Sequence, residues 1–64
     1  MYKIIGVSNF DDPNVSDVVV EENLADKEAA RIKAKAMNAA EPEDAPYYYR
    51  VVQQDTQIKE VRLH

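Results

Sequence analysis

The sequence predicts one α+β domain covering residues 1–64, with the element order β-β-α-β and a possible further strand at the end. Three observations predict this class: an alanine-, lysine- and glutamate-rich stretch in the middle, β-branched or aromatic runs on both sides of it, and turn formers between these runs. We expect a three- or four-stranded, mainly antiparallel sheet in the order 2-1-3, with one helix packed on one face.

The first two strands are predicted at residues 2–8 and 16–22. The first contains Ile4-Ile5 and the second is centred on Val18-Val19-Val20, and both runs are β-branched. The turn between the strands is rich in Asp, Pro and Asn, which favours a hairpin. Gly6, the single glycine, indicates a bulge or a close packing contact.

A helix is predicted from about Asp26 to Ala39. Acidic Asp26 and Glu28 suit the positive end of the helix dipole, and Asn38 and Pro42 signal the end. Spacing of three and four residues predicts one buried stripe, which comprises Ala25, Ala29, Ile32, Ala36 and Ala40.

The third strand is predicted at residues 47–53. Alternation places Tyr47, Tyr49 and Val51 on one face and Tyr48, Arg50 and Val52 on the other. Residues 57–63 alternate weakly, so they form either a short fourth strand or a segment that orders only on association.

The predicted strands carry apolar residues on both faces, whereas one helix covers only one face. A sheet with one solvated face alternates more cleanly than this. We therefore expect the second face to be at least partly covered by the tail, by a second copy of the chain or by another protein.

The composition argues against most site chemistry, and the sequence predicts no catalytic residue, no metal, no cofactor and no enzymatic activity. There is no cysteine, and the single histidine is His64, so disulfides and thiolate zinc sites are excluded. One glycine cannot build a phosphate-binding loop. Residues 12–16 begin like a calcium loop, but Asp17 replaces its glycine and Asn23 replaces its bidentate glutamate.

Charge and hydropathy set the expected environment. The net charge of −4 repels phosphate backbones, which makes nucleic acid an improbable partner. No apolar run approaches the roughly 18 residues of a membrane span. The first residues read as a strand and not as a signal peptide, so a cytoplasmic location with no membrane contact is expected.

The run Tyr47-Tyr48-Tyr49-Arg50 is the most distinctive feature. Tyrosine has a high strand propensity, so core or rim packing is one interpretation, while a protein interface and base stacking are the others. The candidate partner-binding residues are Asp11, Asp12, Glu21, Glu22, Tyr48 and Arg50. The leading hypothesis is a host protein with a basic surface as partner. The alternatives are a structural homodimer and a single-stranded nucleic-acid binder using Tyr47–Arg50.

Several short segments carry a resemblance: Tyr2–Asn9, Val19–Leu24 leading into Lys27–Ile32, Met37–Ala39 and Tyr48–Val52. In these segments the chain resembles small uncharacterised proteins encoded by phages and prophages. The resemblance implies an accessory protein of a mobile element. Such proteins often bind a host protein, and they include inhibitors of bacterial defence systems such as CRISPR effectors.

Overall fold

A computed structural model describes residues 1–10 and 13–60 and confirms the predicted α+β fold. Its elements, in chain order, are β1 (Tyr2–Ser8), β2 (Val18–Leu24), α1 (Lys27–Ala40) and β3 (Tyr47–Gln53). The strands form one sheet in the order β2-β1-β3, and both pairings are antiparallel. The third strand has the predicted bounds, and β2 begins and ends two residues later than predicted.

The central strand β1 is buried on both sides. Ile4 is fully buried and pairs with Val51, while Ile5 is 4% exposed and pairs with Arg50. Because paired residues of antiparallel strands share a face, the register separates the side chains into two sets. The face that packs against the helix, called the helix face, holds Ile4, Tyr47, Tyr49 and Val51. The opposite face is called the tail face because the tail, residues 56–60, lies on it, and it holds Lys3, Ile5, Val7, Tyr48, Arg50 and Val52.

Helix α1 begins after an Asp26 cap. The Asp26 carboxylate accepts hydrogen bonds from the backbone N–H groups of Glu28 and Ala29 at 2.9 and 3.3 Å. These bonds satisfy two of the donors that have no partner within a helix. Asp26 is therefore the N-cap and not a residue of the first turn, and the helix continues past Asn38 to Ala40.

The predicted buried stripe of the helix is wrong. All five of its residues, Ala25, Ala29, Ile32, Ala36 and Ala40, are exposed. The buried residues of the helix are instead Ala30, one position after Ala29, and Ala34, two positions after Ile32. Met37 is half-buried. One residue corresponds to about 100° around a helix. Alanine occupies several faces of this helix, so the apolar spacing alone does not determine which face is buried.

The tail lies across the second face of the sheet. It is one of the three ways in which we expect this face to be covered. Lys3, which is 8% exposed, donates from Nζ to the carbonyl oxygen of Thr56 at 2.7 Å. Further along, the carbonyl oxygen of Lys59 accepts from the Asp17 N–H at 2.8 Å. Residues 57–60 form no strand, and residues 61–63 of the predicted fourth strand lie outside the described residues.

Candidate protein-interaction surface

Three consecutive exposed valines mark β2. Val18, Val19 and Val20 are 42%, 40% and 44% exposed. The helix packs mainly on β3 and β1, so in the described part of the chain it covers little of β2 on that side. The register shifts so that Ile5 pairs with Val19 and Ile4 with Glu21. Val20 is thus the extra residue of a β-bulge, which bends the edge of the sheet.

Three carboxylates accompany these valines. Glu21 lies on the helix face and forms an ion pair with Lys33 of α1. Glu22 is exposed and lies on the tail face. Asp17 accepts the Lys59 N–H at 3.0 Å, which ties the tail to the start of β2. The exposed valine strand therefore has an acidic border on both faces.

A shallow groove runs between β2 and the tail. Its lining residues come from β1, β2 and the tail, and they comprise Lys3, Val19, Glu22, Thr56, Gln57, Ile58 and Glu60. Val19 and Ile58 supply its apolar surface, and Glu22 and Glu60 supply its negative charge. We call this feature the acidic groove. The Lys3 ammonium group also lines the groove, but it is hydrogen-bonded to the backbone carbonyl of Thr56.

The structure places the predicted partner-binding residues on different surfaces. Glu21 and Glu22 lie in β2 but on opposite faces. Tyr48 and Arg50 lie on the tail face of β3, with β1 between them and Glu22. Two strand spacings separate these edges by about 10 Å. Asp11 and Asp12 lie outside the described residues.

The run of three tyrosines is divided between the faces. Tyr47 and Tyr49 are half-buried on the helix face, whereas Tyr48 is 39% exposed beside exposed Arg50 on the tail face. The Tyr49 hydroxyl donates to Glu41 Oε1 at 3.2 Å. This hydrogen bond raises the pKa of Tyr49, with smaller contributions from desolvation and from the Glu41 charge. The run therefore does not form a platform of three aromatic rings on one open surface.

The two edges of the sheet differ in how their backbone is satisfied. The Asn38 amide spans the outer side of β3: its Oδ1 accepts the Tyr49 N–H at 2.7 Å, and its Nδ2 donates to the Tyr49 carbonyl at 2.8 Å. A side-chain amide here replaces a neighbouring strand. In the described part of the chain, β2 has β1 as its single strand neighbour.

Sequence reasoning missed the asymmetry between the edges and the acidic groove. Asn38 predicts the helix end from local sequence, whereas its amide makes a tertiary contact with the backbone of Tyr49 in β3. The consecutive valines were a usable signal, since an unbroken β-branched run indicates a strand that is buried on both faces or that pairs with a partner.

No protein-family model matches this chain, and neither the curated proteins nor the solved structures include a significant match. Among residues 1–10 and 13–60, no three histidine, cysteine or acidic side chains are grouped to hold a metal. Over the same residues, no helix combines the length and apolar character that crossing a membrane requires.

Proposed function

We propose that this chain is a non-enzymatic protein-binding module whose binding surface is the edge strand β2. The observation that carries the proposal is the exposure of three consecutive valines on an edge strand. An exposed edge strand with apolar side chains is a template for pairing with another chain, and the Val20 bulge interrupts this edge at one position. The acidic border selects a partner with a basic surface and disfavours other acidic proteins.

The resemblance to phage and prophage proteins indicates the biological setting of this proposal. A small accessory protein of a mobile element acts by occupying a site on a host protein and inhibiting or modulating it. A defence protein such as a CRISPR effector is a partner of this type, since proteins that handle nucleic acid carry basic surfaces. The acidic strand edge then competes for the basic site.

Two matched variants test the proposed surface. Val19 and Tyr48 have nearly equal exposure, 40% and 39%, and lie on the same face at opposite edges of the sheet. Val19→Ser and Tyr48→Ser are each used as bait in a lysate of the host, beside the original chain, with quantitative mass spectrometry of the captured proteins. We expect one protein to be retained by the original chain and by Tyr48→Ser but lost by Val19→Ser. Circular dichroism checks that both variants are folded.

Other outcomes reject the proposal in distinct ways. Loss with Tyr48→Ser alone would move the binding surface to Tyr48 and Arg50 on β3. Equal retention by all three baits would contradict specific binding through either edge. A concentration-dependent dimer in sedimentation that Val19→Ser abolishes would instead establish the homodimer.

A further inference from the structure

Over residues 1–10 and 13–60, the outer side of β2 has no second strand paired to it, and a side-chain pocket lies beside it. In the described residues its strand neighbour is β1 alone, whereas the opposite edge is bridged by Asn38. The acidic groove opens on the tail face of the same strand, with Val19 and Glu22 contributing to its wall. A peptide that adds to a sheet edge uses backbone hydrogen bonds for affinity and alternate side-chain pockets for specificity.

The groove lining contains two carboxylates and the Lys3 ammonium, which is 8% exposed and donates to the Thr56 carbonyl, so the charge that a ligand meets at the surface is negative. Glu22 and Glu60 both line it, and neither forms an ion pair with another described residue. Val19 and Ile58 offer apolar surface next to these carboxylates. Lysine and arginine combine an aliphatic stem with a terminal charge, so they match such a groove along its length.

We propose that β2 binds an extended basic segment of a partner protein by strand addition, with a lysine or arginine seated in the acidic groove. This inference rests on the proposed function and specifies its binding mode and partner chemistry. The stem of the cationic residue contacts Val19 and Ile58, and its charge lies between Glu22 and Glu60. The valines of β2 contact the apolar residues that alternate with the basic ones.

Charge argues against a second copy of this chain as the occupant. Two-fold pairing of β2 with itself would bring Asp17, Glu21 and Glu22 of both copies along one seam, between chains that each carry a net charge of −4. Like charges opposite each other on paired strands are destabilising. A basic segment reverses the sign of this interaction.

The test uses three blocked eight-residue peptides added to the ¹⁵N-labelled chain, with amide chemical shifts recorded by NMR. The first peptide alternates valine and lysine, the second alternates valine and glutamate, and the third is the lysine peptide with every backbone amide N-methylated. We expect the lysine peptide to shift the amides of Val18–Glu22 and of Thr56–Glu60. The glutamate peptide should not bind, and N-methylation should abolish binding because it removes the N–H donors from both edges of the added strand.

A matched pair of charge reversals separates the groove from general attraction. Glu22→Lys should weaken binding of the lysine peptide by about tenfold or more, since it replaces an attraction by a repulsion. Glu43→Lys changes the net charge equally in the exposed loop after the helix and should leave the dissociation constant within about twofold.

Each contrary result has a distinct meaning. Equal weakening by both reversals, or equal binding of the N-methylated peptide, would overturn strand addition with a seated cation. Absence of binding by the lysine peptide would also overturn it. The proposed β2 binding surface fails separately, if the Val19→Ser bait retains every partner of the original chain.

Discussion

Gly6 lies where the edge strand β2 packs closely against the central strand. A Cβ atom at this position would lie 2.9 Å from Val18 Cγ2 and 3.5 Å from Tyr49 Cε1. The first of these distances is shorter than real Cβ contacts, so glycine lets the edge strand approach the centre of the sheet. The expectation of close packing is confirmed, while the register irregularities lie between Tyr2 and Ile5 and not at Gly6.

We expect Gly6→Ala to lower the free energy of unfolding by about 1 kcal/mol, since overpacking exceeds the small benefit of replacing a strand glycine. Urea denaturation measures this change. In a Val18→Ala background the same substitution should cost less, because the clashing methyl group is absent. An equal cost in both backgrounds would show that Val18 is not the group that excludes a side chain here.

The hydrogen bond between Tyr49 and Glu41 makes stability depend on alkaline pH. It raises the pKa of Tyr49 above its ordinary value of 10.0. For a raised pKa, the stabilising contribution is complete below the unfolded-state value and is lost as pH rises through the folded-state value. We therefore expect the original chain to lose more stability than Tyr49→Phe between pH 9 and 12, roughly the range in which tyrosine titrates.

Denaturation midpoints over this pH range provide the measurement, with Tyr48→Phe as the control that lacks the Glu41 contact. Ultraviolet titration of Glu41→Gln should show the highest-titrating tyrosine shifted to lower pH. Parallel pH profiles for the original chain and Tyr49→Phe would contradict the assignment.

At the scale of elements, the local sequence predicts where the strands and the helix lie, but it does not predict which face of the helix packs on the sheet. The bounds of β1 and β3 follow from β-branched and aromatic runs between turn formers, and those runs have one interpretation. The buried face of the helix has more than one interpretation, because alanine recurs on several faces. Ile32 favours the face that the structure leaves open to solvent, and its side chain is 63% exposed. The buried face is set by contacts far along the chain, from Asn38 to Tyr49 and from Lys33 to Glu21, which spacing within the helix cannot reveal.

The tail is an element without regular structure, and Lys3 anchors it. Replacing Lys3 by methionine keeps an apolar chain of similar length but removes the donor to the Thr56 carbonyl. We expect hydrogen exchange at the Lys59 amide, which is bound to Asp17, to accelerate about fivefold, the equivalent of one ordinary hydrogen bond. Exposed Lys35→Met is the control. Unchanged exchange at Lys59 in Lys3→Met would show that this contact does not hold the tail.

At the scale of the whole molecule, a small core is combined with an open edge. Among the described residues, Ile4 is the large side chain with complete burial, and the other buried apolar residues are Ile5 and three alanines. A chain of 64 residues with such a core has a thin stability margin, on the order of 3–5 kcal/mol. A partner strand on β2 would bury valine surface that the chain leaves exposed, so binding and stability are coupled.

The central claim is that, among the described residues, β2 has an open pairing edge, whereas Asn38 occupies the outer edge of β3 at Tyr49. Residue-resolved amide hydrogen exchange on the free chain tests it most directly. We predict that the Tyr49 amide is protected, although it points away from β1, and that the outward amides from Val18 to Glu22 exchange at nearly the rate of unstructured peptide. Asn23 is set apart because its N–H donates to Gln54 Oε1. Protection of every amide from Val18 to Glu22 would contradict the account, because it would mean that the β2 edge is already paired.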